Sequence, residues 1–292
     1  MLTPTIKPLT AQLQSSTIEK ITKAYPHINS NIIGKSHLRR PIHALTIGHG
    51  KKNILINAAH HANEWITSVI ALYFLEECAY YTNWQKHTTL HIVPMVNPDG
   101  VDVVTGGLDI HSKLIWEANC KMHEIDTHTQ NWKANIVGTD LNSNYPAGWE
   151  HAKKRKFDLG FISPSPRDYV GKHPLSEPES RALAAYTYLN DFDYTISLHT
   201  QGEEIFWQYE NFDPPHAKEL ATRLSIASGY KLEDVPEESS HAGYRDWFIS
   251  KFNRPGITVE CGIGENPLPL SQLGDIYKKT APLLWEAVEF SI

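Results

Sequence analysis

The sequence has few cysteines, no long hydrophobic run and no excess of basic charge, and each shortage excludes a class of protein. Its three cysteines, Cys78, Cys120 and Cys261, cannot form a full disulfide framework, and no CxxC pair is present to hold a structural metal. This usage is compatible with a reducing compartment. No window of about 18 apolar residues could span a bilayer. The formal net charge of −6 argues against a nucleic-acid partner, because phosphate binding needs a concentrated basic face.

Signals for export are also missing from the start of the sequence. Residues 1–30 lack the charged segment and the apolar segment of a secretory leader. We therefore expect a protein of the cytoplasm with no membrane partner. The one basic run, KKRK at 153–156, is short and is typical of a solvated loop.

No Gly/Ser-rich or Pro-rich linker, internal repeat or low-complexity stretch divides the chain. With 41% hydrophobic residues, 292 residues are enough to bury one substantial core. We therefore predict an N-terminal extension over residues 1–30, with a helix around 17–25, packed on one main domain over residues 31–292.

Strand and helix patterns alternate along this main domain. Apolar β-type runs predict strands at 41–48, 53–60, 88–97, 194–200 and 256–262, and helical spacing predicts helices at 64–81, 176–191, 214–229 and 273–290. The PDG string at 98–100 indicates a turn, and residues 101–139 read as a long loop region with short helices. The alternation predicts an α/β fold with a mainly parallel central sheet.

Four residues with metal-binding or acid–base side chains follow the predicted strands. His61 and Glu64 lie at the end of one strand, His199 at the end of another, and Glu260 near the end of a third. The carboxyl ends of strands are where sites assemble in open α/β sheets. Each signal alone is weak, since a chain with 16 histidines contains His-x-x-Glu pairs by chance. Their shared position at strand ends favours a metal site.

The chemistry of a hydrolytic zinc site explains this set of side chains. Such a site needs three nitrogen or oxygen ligands and an open position for water. His61 and Glu64 are close enough in sequence to face one ion, and His199 is the natural third ligand. The cation lowers the pKa of a water from near 16 to about 7. Glu260, in an otherwise apolar strand, can accept the proton of that water and return it to the leaving amine.

The sequence resembles the zinc carboxypeptidases over roughly residues 30–290. The strings that carry the resemblance occur in the family's order: HHANEW, NPDG, GTDLNSNYPAGW, PLSEPES, SLHTQG and ITVECG. The resemblance implies a single α/β domain with a mixed, mostly parallel sheet of about eight strands flanked by helices. It also implies one zinc ion on His61, Glu64 and His199, with Glu260 as general base and acid. Asp140 resembles the family's acid that orients the first ligand histidine.

The sequence departs from the family at three arginines that hold the substrate's terminal carboxylate or steady the oxyanion. Asn63 stands before the ligand glutamate, Ser143 follows Asn142, and the stretch beginning at Trp132 continues with Lys133. An arginine fork stabilises a desolvated carboxylate by a few kcal/mol. Its loss argues against trimming of ordinary C-terminal residues.

A subgroup of the family is more similar, the γ-D-glutamyl-L-diamino acid peptidases of spore-forming bacteria. Shared features include HHANEW, WKAN, a non-arginine after DLN, PRDY and an AGY-basic-DW segment. This resemblance implies cleavage of cell-wall stem peptides between γ-D-glutamate and meso-diaminopimelate. Arg245 falls at the base of the family's specificity pocket, where it suits a carboxylate of that substrate. The family's mobile tyrosine is missing from residues 237–240, so Lys133, Asn135 or Asn142 would help zinc to stabilise the oxyanion. Ser143, Asn63 and the nearby Tyr244 are further candidate substrate contacts.

Three other functions remain open. A metallocarboxypeptidase acting on ordinary peptides has the same ligands. An aspartoacylase-type amidohydrolase shares the His-x-x-Glu and distant histidine, although the SEPES and ITVECG strings count against it. A non-catalytic muropeptide-binding relative would keep the fold, but it would not need Glu260 as a base. The sequence indicates a peptide partner and gives no oligomeric state.

Overall fold

A computed structural model describes residues 1–4, 6–127, 131–236 and 240–291 of the chain. Its centre is one sheet of eight strands in the order β1-β2-β4-β3-β5-β8-β6-β7. The strands are β1 (Asn29–Lys35), β2 (Pro41–Gly48), β3 (Lys52–Ala58), β4 (Thr88–Val93), β5 (Tyr194–His199), β6 (Glu204–Phe206), β7 (Lys231–Leu232) and β8 (Gly256–Glu260). The four central strands β4, β3, β5 and β8 run parallel. The predicted α/β fold with a mixed, mostly parallel sheet is confirmed.

Helices cover both faces of this sheet. They are α1 (Ala11–Ala24), α2 (Ile66–Tyr80), α3 (Pro98–Thr105), α4 (Ile110–Met122), α5 (Trp149–Asp158), α6 (Pro178–Asn190), α7 (Ala217–Ser228), α8 (Tyr244–Phe252) and α9 (Leu273–Glu289). Helices α1, α2, α7 and α9 bury their apolar residues in the larger core on one face. Helices α6 and α8 pack in a second core on the other face. The result is a three-layer arrangement of helices, sheet and helices.

Buried strand β5 shows how the sequence builds these two cores. Every residue of β5 is buried, as expected for a central parallel strand. Tyr194, Ile196 and Leu198 contact the larger core, and the alternate residues face the opposite side of the sheet. His199 therefore ends the strand on the side of the smaller core, in parallel register with Glu260 of β8.

Two predictions about loops were wrong for local reasons. The PDG string begins α3 instead of a turn, because the Asn97 side chain accepts a hydrogen bond from the Gly100 amide and Pro98 takes the first helical position. The KKRK run lies on α5 and is not a loop. Its last residue, Lys156, is buried in an ion pair with Asp168.

The N-terminal segment packs closely on the rest of the chain. Helix α1 begins six residues before the predicted start, capped by the Thr10 side chain on the Leu13 amide. Ile18 and Ile21 of α1 are buried in the larger core, and the Glu76 carboxylate accepts hydrogen bonds from the Thr3 amide and hydroxyl. A domain boundary at residue 30 stays a prediction. Within the described residues, the helices are too short or too polar to cross a bilayer.

Candidate active site

The turn that follows β3 positions the first two candidate ligands. His61 keeps an extended backbone, and a short 3-10 turn, Ala62–Glu64, follows it directly before α2. The Ala62 amide donates a hydrogen bond to the Lys133 carbonyl, 3.0 Å away. The Thr67 hydroxyl donates to the Glu64 carbonyl and accepts from the Ala59 amide. These contacts aim the His61 and Glu64 side chains at the carboxyl edge of the sheet.

His61, Glu64 and His199 come together around one point. The Nδ1 atoms of His61 and His199 are 3.3 Å apart, and each lies 2.8 Å from a different carboxylate oxygen of Glu64. All three ligand atoms lie within 4.8 Å of one another. The Asp140 carboxylate lies 3.2 Å from the other ring nitrogen of His61, Nε2. We call His61, Glu64 and His199 the metal cluster.

The donor set of the metal cluster fits zinc. Two imidazole nitrogens and a carboxylate are the ligand types of hydrolytic zinc sites, which keep a fourth position for water. Asp140 accepts a hydrogen bond from Nε2 of His61, which directs Nδ1 towards Glu64 and His199, where a bound cation would replace the Nδ1 proton. His60, the neighbouring histidine, does not join this cluster. Its ring stacks on His199, and its Nε2 lies 3.0 Å from the Tyr145 hydroxyl.

Electrostatics in the metal cluster favour a positive charge. Burial opposes the charged form of Glu64, but His61 and His199 outweigh burial and hold the pKa of Glu64 well below its usual value. Burial also opposes the charge of His61, yet Glu64 and Asp140 raise the pKa of His61 to about 9. The carboxylates thus stay ionised around the point where the two Nδ1 atoms meet.

Glu260 stands beside the metal cluster at the end of β8. It is the register partner of His199, so both side chains project from the same face of the sheet. Burial and the Glu64 carboxylate raise the pKa of Glu260 to about 8. Glu260, His61 and Glu64 line one cleft of about 420 Å³.

Three of the predicted substrate contacts also line this cleft: Lys133, Asn142 and Arg245. The Lys133 ammonium lies 3.5 Å from Glu64. Burial opposes its charge, but Glu64, Asp140 and Glu260 together raise the pKa of Lys133. The Arg245 guanidinium is buried and bonded through Nε and Nη2 to the Asp246 carboxylate. The remaining nitrogen of that guanidinium, Nη1, is left for another acceptor.

The other predicted contacts lie elsewhere. Tyr244 is fully buried in the smaller core, and its hydroxyl lies 2.8 Å from the Thr187 hydroxyl, so the structure contradicts a role in binding substrate. Asn63 and Ser143 do not line the cleft; Asn63 is buried in the turn before α2, and Ser143 ends a short 3-10 turn, Leu141–Ser143. The segment considered for the mobile tyrosine falls mostly on residues 237–239, which lie outside the described residues.

Several residues of the cleft were not predicted from the sequence. They are Arg167, Thr200, Gln201, Glu204, Asp246, Thr258 and Asn266. The PRDY string contained a signal for Arg167, whose guanidinium pairs with Asp168. Glu204 was missed because β6 is only three residues long and has no recognisable strand pattern.

A larger cavity lies at the opposite edge of the sheet. Its volume is about 800 Å³, and Lys52, Thr88 and Asp193 at the starts of β3, β4 and β5 line it. Lys52 there donates hydrogen bonds to the Val288 and Phe290 carbonyls. His61 and Glu64 of the metal cluster line the smaller cleft, so the chemistry of the side chains, not the volume, identifies the candidate site.

Comparison with known proteins places this geometry in a family. The zinc carboxypeptidase family model matches residues 15–281. Gamma-D-glutamyl-L-diamino acid endopeptidase 1 of Lysinibacillus sphaericus is 40% identical over 284 residues, which cover 91% of this chain and 69% of that protein. Uncharacterized protein YqgT of Bacillus subtilis (strain 168) is 39% identical over 290 residues, covering 94% and 75%.

A solved structure shows the same fold. Bovine thrombin-activatable fibrinolysis inhibitor, in complex with tick carboxypeptidase inhibitor, superposes with a TM-score of 0.75 at 24% identity, covering 96% of this chain and 95% of that one. The family match extends over most of the chain, the two sequence relatives are longer than this chain, and the solved structure has the same fold. This chain therefore belongs to the zinc carboxypeptidase family of metallopeptidases.

Proposed function

We propose that this chain is a zinc-dependent peptidase that hydrolyses the amide bond between γ-D-glutamate and meso-diaminopimelate in peptidoglycan stem peptides. The observation that carries the proposal is the convergence of two imidazole nitrogens and a carboxylate beside Glu260. The 40% identity to an endopeptidase named for γ-D-glutamyl-L-diamino acid bonds supports the class of substrate.

The metal cluster would hold one zinc ion through Nδ1 of His61, Nδ1 of His199 and the carboxylate of Glu64. When bound, the ion supplies a Lewis acid that polarises the scissile carbonyl and makes a water more acidic. Asp140 would hold the His61 ring in the tautomer that presents Nδ1 to the metal, because its carboxylate accepts a hydrogen bond from Nε2 of that ring.

Glu260 would act as the general base and then as the general acid. A carboxyl group with a pKa near the working pH can both accept a proton from water and return it to the leaving amine. Burial and the negative charge of Glu64 raise the pKa of Glu260 towards that range. Water attacks directly, and no covalent bond forms between enzyme and substrate.

Lys133 would stabilise the oxyanion that develops on the scissile carbonyl. Its ammonium lines the cleft 3.5 Å from a carboxylate of the metal cluster, and the surrounding acids keep it charged. Fixed charges at the site of developing charge stabilise a transition state strongly. Asn142, which also lines the cleft, is the second candidate donor.

The substrate would carry carboxylates in places that ordinary peptides do not. Asn63 and Ser143 replace arginines that bind a C-terminal carboxylate in the family. Arg245 instead lines the cleft, and because Asp246 accepts from its Nε and Nη2, its Nη1 can bind a carboxylate of the stem peptide. A cell-wall stem peptide is therefore the proposed partner.

The compartment remains a prediction. Processing of stem peptides in the cytoplasm is the role that we propose for this enzyme. Fractionation of cells that produce the protein, followed by immunodetection, would test that location.

Mass spectrometry of L-Ala-γ-D-Glu-meso-diaminopimelate digests tests the activity. We expect the wild type to cut the γ-linked bond and Glu260→Gln to lose about 10²–10⁴-fold in kcat, since it lacks the base. Zinc content, measured in the same samples, should be equal in the two proteins. Glu265→Gln, which makes the same chemical change at an exposed position, is the control.

Two results would contradict the proposal. Equal rates on α-linked C-terminal peptides would remove the cell-wall substrate and favour an ordinary carboxypeptidase. Stoichiometric zinc without cleavage of any peptide would favour a non-catalytic binding protein.

A further inference from the structure

One acidic side chain of the cleft, Glu204, makes no ion pair within the part of the chain that the structure describes. Glu204 begins β6 and is the antiparallel register partner of Glu260. Both side chains line the same cleft. A methyl group built on Gly202 would lie 3.1 Å from the Glu204 carboxyl carbon, which places this carboxyl group beside the turn that follows His199.

The cations of the cleft already have acidic partners. The pairs are Lys133 with Glu64, Arg245 with Asp246 and Arg167 with Asp168. Glu204 instead stands next to another acid: burial and Glu64 raise the pKa of Glu260 most, and Glu204 adds to the increase. A half-buried carboxylate next to a second carboxyl group is stabilised by a cation that enters the cleft.

A metal ion does not account for this acid. Among the described residues, ligand-type side chains cluster at His61, Glu64 and His199 and at His37, Glu177 and Glu179, and Glu204 belongs to neither group. An ammonium group, with three N–H donors and one positive charge, is the alternative that a peptide substrate can bring. The diamino acid of a stem peptide carries such a group on its side chain.

We propose that Glu204 binds the free ammonium group on the side chain of the residue that follows the scissile bond. Arg245 then binds the carboxylate at the same side-chain end. The guanidinium has five N–H donors, and Asp246 accepts from Nε and Nη2, so Nη1 can serve this carboxylate. The two residues together select a zwitterionic side-chain end. This inference rests on the proposed function, because it assigns the recognition of that substrate.

The test compares two γ-D-glutamyl peptides that differ by one amino group. One ends in meso-diaminopimelate, and the other ends in L-2-aminopimelate, which keeps the chain length and the terminal carboxylate but lacks the side-chain amine. A hydrogen-bonded charge pair in a cleft corresponds to about a 10- to 100-fold difference in kcat/KM. We expect the zinc-loaded wild type to prefer the diaminopimelate peptide by a ratio of that size, expressed mainly in KM.

Glu204→Gln should reduce this preference ratio to near one, and Glu204→Asp, which keeps the charge, should restore part of it. Glu203→Gln is the matched control, because Glu203 is adjacent in sequence and pairs with Lys279. It should keep the wild-type ratio. An unchanged ratio in Glu204→Gln would overturn the proposal, including the case in which both peptides lose activity equally.

A direct binding measurement separates this inference from the proposed function. Calorimetry with free meso-diaminopimelate and free L-2-aminopimelate reports the same preference without any cleavage. If the wild type cleaves neither peptide, the proposed function fails, and the calorimetric ratio in wild type and Glu204→Gln still decides the role of Glu204. Equal affinities for the two amino acids in the wild type would overturn the inference alone.

Discussion

Among the residues that the structure describes, two clusters of histidine and glutamate have the spacing of a metal site, and their surroundings differ. The metal cluster contains His61, Glu64 and His199. The second, which we call the α6 cluster, contains His37, Glu177 and Glu179, at the N-terminal end of α6. In each cluster the potential ligand atoms lie within 4.8 Å of one another.

The α6 cluster is occupied by the protein's own donors. Nε2 of His37 and Nδ2 of Asn135 each lie 2.8 Å from the same Glu177 oxygen, and the Ser176 hydroxyl donates to the other oxygen. The His37 amide donates to Glu179. These bonds tie the loop after β1 to the start of α6. The α6 cluster therefore has a structural role: its hydrogen bonds hold these two segments together.

The two clusters also differ in the pKa of one buried carboxyl group each, Glu179 in the α6 cluster and Glu64 in the metal cluster. Burial raises the pKa of Glu179 to about 7, so this carboxyl resists ionisation. Glu64 is as deeply buried, but two imidazoles facing its two oxygens hold its pKa well below the usual value. Metal ligands must be deprotonated, so the ionised Glu64 suits a cation better than Glu179 does, although hydrogen bonds outweigh burial at Glu177 and lower its pKa to about 2. Ligand-type residues at the right spacing are therefore not enough to make a metal site. Hydrogen-bond donors of the protein that compete for the same carboxylates also determine whether a cluster can bind a metal ion.

Removal of one histidine from each cluster should give the largest contrast. Loss of a group that only orients a metal ligand lowers metal affinity by about 10- to 100-fold. We expect His199→Ala, which removes a ligand itself, to lose more than about 100-fold in zinc affinity and to lose peptidase activity with it. His37→Ala should keep one zinc ion per chain and the wild-type kcat/KM. Zinc measured by mass spectrometry after gel filtration checks both. Loss of zinc from His37→Ala would show that the α6 cluster also binds metal.

Glu179→Gln should show how much the ionisation of a buried acid in the α6 cluster lowers the free energy of unfolding at neutral pH. The pKa of Glu179 is about 7 in the folded protein, above its ordinary value of 4.5. Between these pH values the folded state keeps a proton that the unfolded chain has lost, so rising pH destabilises the wild type. Glutamine has no such proton. The variant should therefore gain up to about 3 kcal/mol relative to the wild type between pH 4.5 and pH 8.

Urea unfolding of both proteins at pH 5 and pH 8 measures this difference. A constant difference in the free energy of unfolding at the two pH values would show that Glu179 ionises normally. It would also weaken the contrast with Glu64, since both carboxylates would then be charged at neutral pH.

Five of the eight strands and the positions of His61, Glu64, His199 and Glu260 at strand ends could be predicted from local sequence. Strand and helix periodicities differ, and β5 and β8 are apolar runs that end at His199 and Glu260. The carboxyl-edge rule then groups residues that are distant along the chain. The structure brings His199 within hydrogen-bond distance of Glu64, in agreement with that reasoning.

Features that depend on distant partners could not be predicted. Strand β6 has three residues and exists because it pairs with β8, so the position of Glu204 in the cleft has no local signal. Tyr244 and Arg245 are adjacent in sequence, but α8 turns one into the smaller core and the other towards the cleft. Lys156 is buried because Asp168 meets it there. In each case the tertiary partner, not the residue's own propensity, fixes the environment.

Asp140→Asn should give the smallest of these effects and should sharpen the description of the metal cluster. The His61 ring is held by an acid on its distal nitrogen, and the loss of such a partner lowers metal affinity by about 10- to 100-fold. The one oxygen of asparagine can still accept from the Asn142 amide and hold the local turn, while the bond from the Asp168 amide to the second oxygen is lost. Competition with a chelator measures the zinc affinity. An affinity equal to that of the wild type would mean that Asp140 serves the turn alone and that the Glu64 carboxylate by itself orients His61.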